Sequence, residues 1–201
     1  MNRTNSSPAL RTVTSVLPAA VLLTIFGGGS LSAQEAGPVP VAGVPGGSTG
    51  SKLSALEARE MVNYHDAKRA EVGSGKVTWS PVIARFAQER ADMIARTKKF
   101  AHLPPGRNPY GENLAQGGGG GFSAVSACEG WYAEKARMPK NVTTLSMNLF
   151  NRGVGHYTQM VWKGSTQIGA GIARYEQGGF TWTVVVCCYN PPGNVIGGTI
   201  H

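Results

Sequence analysis

A chain of 201 residues, 41% hydrophobic and 15% charged, is long enough to bury one core and too short for several large domains. Its formal charge of +8 comes from lysines and arginines that are scattered, with only short pairs such as Lys98-Lys99. Without a basic stripe interleaved with aromatics, nucleic acid is not an expected partner, and the charge favours anionic surfaces such as cell walls or lipid headgroups.

The N-terminus has the layout of an export signal. Arg3 and Arg11 supply positive charge, and residues 16–26 form an apolar run shorter than the roughly 20 helical residues that span a bilayer. Leu31-Ser32-Ala33 follows as a cleavage site, so residues 1–33 read as a signal peptide, with an uncut anchor as the alternative. Cleavage removes two arginines and no acid, which lowers the charge to +6. The protein is then expected to be secreted and extracellular, or periplasmic in a bacterium, with no permanent membrane insertion. Residues 34–51 are rich in Pro, Gly and Ser and read as a linker, leaving 52–198 as the folded domain.

Within that domain the pattern predicts three helices and then strands. The first helix covers about 52–72, with Ala58, Met61, Val62 and His65 on one face, and Gly73 and Gly75 stop it. Ser80 is an N-cap with Pro81 at the first helical position, opening a second helix to about residue 99 that buries Ile83, Phe86, Ala87 and Ile94. A third helix is predicted over about 122–137, and 117–121 reads as a glycine-rich surface loop. Residues 166–175 and 180–189 flank Glu176-Gln177-Gly178-Gly179 as an antiparallel hairpin. Helices followed by a hairpin predict an α+β fold.

Three cysteines, Cys128, Cys187 and Cys188, allow at most one disulfide. Adjacent strand residues face opposite ways, so only one of Cys187 and Cys188 can readily reach Cys128. A single bridge from the third helix to the last strand is one expectation, three buried free thiols the other.

Five short motifs then occur in order. They are His65-Asp66-Ala67-Lys68-Arg69, Tyr110-Gly111-Glu112-Asn113-Leu114-Ala115, Trp131-Tyr132-Ala133-Glu134, the stretch from Gly155-His156-Tyr157 to Ser165, and Val186-Cys187-Cys188-Tyr189-Asn190-Pro191-Pro192-Gly193-Asn194. Together they resemble the CAP (SCP) family of cysteine-rich secretory proteins, venom allergens and plant pathogenesis-related proteins, over nearly all of the domain. Asp66 and Cys188 depart from the family pattern, and the small cysteine count means that the family's disulfides do not carry over.

The resemblance implies a three-layer α-β-α sandwich with a small antiparallel sheet and an open groove. It also implies that His65, His156, Glu112 and Glu134 converge there. His65 and His156 are then candidate ligands for Zn2+ or another divalent cation, with Glu112 and Glu134 as groove residues. Read locally, His65 on an apolar helix face is instead a hydrogen-bonded structural histidine, and His102 reads as structural too. Arg69, one turn beyond His65, is expected to pair with an acid and fix the first helix, and Trp162 and Trp182 read as core.

The chain lacks H-E-x-x-H and G-x-S-x-G, so no catalytic residue is assigned. The expected function is a binding module that takes a sterol or lipid, a cell-wall component or a protein partner. A metal-assisted hydrolase or protease is the alternative, and a structural or defence-related secreted protein whose surface does the work is the third reading. Pro104-Pro105 and residues 145–150 are candidate apolar loops beside the groove.

Overall fold

Helix α1, Ala55–Ala70, starts where Ser54 and Glu57 close a reciprocal capping box, which satisfies two otherwise unpaired amides. Helix α2, Pro81–Thr97, starts at the predicted Ser80 cap and ends at Lys98 in the left-handed conformation. Helix α3, Ala124–Ala133, is capped by Ser123 and tightens into a 3-10 turn at Glu134–Arg137. Two short helices follow, α4 at Met147–Phe150 and α5 at Gly155–Met160. The computed structural model describes residues 48–104 and 106–201, so the predicted signal peptide and most of the predicted linker lie outside the described residues. Thr49 is already buried, and its carbonyl accepts a hydrogen bond from Trp79 Nε1, so ordered structure begins before residue 52. Among the described residues no helix is long and apolar enough to cross a membrane.

Four strands form one sheet in the order β1-β3-β4-β2: β1 Thr78–Trp79, β2 Gly111–Gly118, β3 Gln167–Gln177 and β4 Phe180–Asn190. The β3–β4 hairpin turns through Gly178 and Gly179, both at positive φ, the geometry that suits the strand twist. The sheet is antiparallel except for the two-residue β1, which pairs with β3 in parallel. The predicted glycine loop begins two residues late, because Gly117 and Gly118 pair with Thr183 and Trp182. There the ladder with β4 overrides the weak strand propensity of glycine.

The sheet is covered on both faces, giving the expected three layers. Val184, Val186 and Cys188 pack with Ile83, Ala87, Ala91 and Ile94 of α2. Val185, Cys187 and Tyr189 pack with α1, α3 and α5 residues such as Met61, Cys128 and Tyr157. Burying Ile83 and Ile94 contributes about 2 kcal/mol each. Helix α2 lies directly on β3: a Cβ at Gly169 would stand 2.2 Å from Ala84 N, and one at Gly171 2.3 Å from Gln88 Cα.

All three cysteines are buried free thiols, so the expected bridge is absent. Cys187 shares the core layer of Cys128, while Cys188 is on the opposite face. Burial pushes the Cys187 thiol up to about 12. Arg69 is fully buried, but its partners are the carbonyls of Gly75, Met160, Trp162 and Ser165 rather than an acid. It fastens the end of α1 to the segment after α5.

Candidate functional site

Strand β2 is an edge strand whose register decides where its polar side chains go. Glu112 stands opposite Cys188 and so faces α2, where Arg90 meets it; both side chains are only 4% exposed. Arg90 Nε donates to Glu112 Oε2 at 2.9 Å and Nη2 to Oε1 at 3.4 Å. Asn108 Nδ2 donates to Oε2, and His102 Nδ1 lies 2.8 Å from Oε1. Burial alone would raise the carboxyl pKa of Glu112, but the hydrogen bonds from His102 and Arg90 outweigh it and hold the group below its usual range.

Glu134 forms a second pair by a different route. The 3-10 turn after α3 sets it against the start of α5, where Oε2 accepts from the backbone N–H groups of His156 and Tyr157 at 2.9 and 3.2 Å. Its Oε1 receives His156 Nδ1 at 2.8 Å and Arg137 Nη2 at 3.2 Å. Burial again opposes ionisation, and the bonds from His156 and the backbone again win, so the carboxyl is depressed.

His102, Glu112, Glu134 and His156 all line one open cavity of about 420 Å³. The rest of its wall includes Phe150 and the Gly193-Asn194 turn. That turn is held on α5: Thr158 Oγ1 donates to Asn194 Oδ1 at 2.6 Å, and Gly193 N donates to Gln159 Oε1 at 2.9 Å. Of the apolar segment 145–150, Leu145 and Leu149 are core and Phe150 reaches the groove.

The predicted quartet is therefore three-quarters assembled. Glu112, Glu134 and His156 meet in the cavity, but His65 does not. It is fully buried, with Nδ1 on Met61 O at 2.8 Å and Nε2 on Tyr189 Oη at 2.9 Å. With a carbonyl on one nitrogen and a hydroxyl on the other, it has no lone pair to offer a metal. Burial lowers its pKa to about 4, so it stays neutral. Tyr189 Oη in turn accepts from Asn113 Nδ2, which also donates to the His156 carbonyl. His65 thus supports the groove from behind.

The second groove histidine is His102, read from sequence as structural. A signal existed: it lies in an irregular stretch between α2 and β2, where no apolar periodicity gives a histidine a core to serve. Trp162 is core as expected, whereas Trp182 is only half-buried and lines a surface cavity.

Nδ1 of each groove imidazole faces a depressed carboxylate and so carries a proton, and in the neutral ring Nε2 is then the lone-pair donor. Among the described residues neither Nε2 has a protein partner, and no group of three or more His, Cys, Asp or Glu side chains is arranged as ready ligands. Imidazole nitrogens of this kind are donors that suit a borderline divalent cation, with water or ligand atoms completing its shell.

Residues 62–189 match the family described as the cysteine-rich secretory protein family, CAP. The chain is similar to pathogenesis-related protein 1B of Nicotiana tabacum, 36% identical over 139 residues that cover 69% of this chain and 77% of that protein. Similarity to pathogenesis-related protein 1 of Arabidopsis thaliana is 36% over 136 residues, 68% of this chain and 77% of the relative. The crystal structure of NaASP2 with Zn2+ matches with a TM-score of 0.63 at 25% identity, over 74% of this chain and 86% of that one.

Proposed function

The chain belongs to the cysteine-rich secretory protein (CAP) family, and on that footing we propose that it is an exported binding protein whose groove holds a divalent cation between His102 and His156 and captures a ligand beside it. The observation that carries this reading is the pair of carboxylate-oriented imidazoles lining one cavity. A bound cation would supply a Lewis-acidic anchor for an oxygen of the ligand. The Zn2+ in the NaASP2 crystal structure supports the choice of metal. Export rests on the signal-like sequence of residues 1–33 and on the secretory family.

Binding is favoured over hydrolysis by the state of the carboxylates. Glu112 is engaged by Arg90, His102 and Asn108, and Glu134 by two backbone amides, His156 and Arg137. Both are depressed, which suits orienting acceptors and disfavours a general acid.

Zinc titration calorimetry on the exported chain, beside a His102→Ala/His156→Ala variant matched for folding by circular dichroism, tests the proposal. One Zn2+ per wild-type chain, with at least tenfold weaker binding by the variant, is expected. A wild type that binds no zinc removes the cation, and a folded variant that binds as tightly moves the site elsewhere.

A further inference from the structure

The groove does not stop at the histidines. A second cavity, of about 310 Å³, shares His156 with the first and continues along the outer edge of β2 past Leu114, Gln116, Phe100 and Trp131. A third, of about 490 Å³, shares Phe100 and Gln116 with the second and adds Tyr175, Gln177, Phe180 and Trp182. From Glu112 to Gly118 the edge strand runs about 20 Å. Shared wall residues thus link three cavities in a row, with the imidazoles at one end and a cluster of aromatic rings at the other.

The aromatic end exists because α2 is shorter than the sheet. The helix covers Leu114, Ala173, Val184 and Val186, then ends at Thr97. On the same face Tyr175 is half-buried against that core, and the Phe180–Gln177 pair lies further along the hairpin, with both residues exposed. Phe180 is 61% exposed and Phe100 40%. Trp182 is braced for a platform role: its Nε1 donates to Gln177 O at 3.3 Å, and its ring lies 3.8 Å from where a Cβ on Gly118 would stand. Tyr175 Oη donates to Gln116 Oε1 at 3.3 Å. Among the described residues, the Gln116 Nε2 and the whole Gln177 amide have no protein partner and are free to bond a ligand. Lys98 is the one charged residue on this wall.

We propose that this cleft binds a β-linked glycan chain, with sugar rings stacked on Trp182, Tyr175 and Phe180 and hydroxyl groups bonded by Gln116 and Gln177. A pyranose ring presents a C–H face to the electron-rich face of an aromatic ring and hydroxyl edges to amides, and this wall offers both. At the aromatic end Lys98 is the one charged lining residue among those described, which matches a neutral polymer, and a β-1,4-linked chain is extended enough to follow a strand edge. A lipid or sterol calls for an enclosed apolar cavity, and this one is open and lined with amides. A peptide strand added to β2 would need the edge carbonyls, and the Leu114 carbonyl already accepts Trp131 Nε1 at 3.0 Å.

The inference deepens the binding role but does not need the cation, so its test is run in EDTA, where failure of the zinc site has no bearing. The exported chain is titrated with cellohexaose and chitohexaose, followed by tryptophan fluorescence and calorimetry, and sedimented with cellulose, chitin and peptidoglycan. At least one hexasaccharide is expected to bind and to change the fluorescence. Trp182→Ala should weaken binding at least tenfold. Phe180→Ser, at an exposed position that leaves the fold intact, should weaken it about threefold or more. No hexasaccharide binding by the wild type up to millimolar concentration overturns the proposal, as does binding unchanged in Phe180→Ser and in a folded Trp182→Ala. Binding of extended peptides or phosphatidylcholine vesicles lost in the same two variants, with no glycan binding, also overturns it and assigns the cleft to that class.

Discussion

The two carboxylate–imidazole pairs of the groove have the same chemistry and opposite construction. Glu112 is held by a buried guanidinium and presents a histidine on an irregular loop whose side chain is 58% exposed. Glu134 is held by His156 and, behind it, by two backbone amides at the start of α5, and it presents that histidine 34% exposed. Glu112 is kept ionised by side chains alone, His102 and Arg90. Glu134 adds backbone dipoles to its histidine, and that part of its support depends on the fold as a whole.

Removing the charge partner should break the comparison hardest. Arg90→Met leaves Glu112 buried without its cation, and loss of one member of a buried ion pair costs about 3–5 kcal/mol. Urea denaturation at pH 7 should show that loss, and it should shrink in Arg90→Met/Glu112→Gln, where no charge is stranded.

The next effect belongs to the histidine that both pairs lack, His65, which is sealed from solvent. Its folded pKa of about 4 lies below the unfolded 6.5, so between those values the unfolded chain binds more protons. The stability it contributes is complete above pH 6.5 and is lost as the pH falls towards 4, by about 3 kcal/mol in all. Denaturation midpoints across pH 4–7 should follow that slope, and His65→Gln should flatten it.

The smallest effect is expected from Glu134→Gln. The amide side chain can keep an oxygen towards the His156 and Tyr157 amides, so only the charge-assisted part is lost, about 1–2 kcal/mol. Because the Glu134 carboxyl is depressed, its contribution is present above the ordinary value of 4.5 and fades as the pH drops through the lower folded value. Wild type and variant should therefore converge in strong acid, and a difference that grows there would refute the assignment.

Much of this was legible in the chain. Ser54-x-x-Glu57 and Ser80-Pro81 mark helix starts through local backbone bonding, and the alternation from Phe180 to Tyr189 marks a strand with two buried faces. The motifs carrying Glu112, Glu134 and His156 pointed to the groove. Strand β2 was not legible as a strand, because Gly-Glu-Asn-Leu-Ala-Gln-Gly-Gly has little strand propensity and is extended only by pairing with β4. Trp182 looked like core for the complementary reason: its alternation is that of a buried strand, and nothing nearby in sequence says that α2 stops short of it.

The sequence by itself determined the family, the order of helices and hairpin, and the residue types from which the groove is made, because caps, turns and periodicity act over a few neighbours. Only the tertiary structure decided which histidine serves the groove. His65 and His102 are each one imidazole in the chain, and what separates them is the partner at each ring nitrogen. For His65 the second partner is Tyr189, 124 residues away, while for His102 the partner is the carboxylate of Glu112, which Arg90 of α2 also holds.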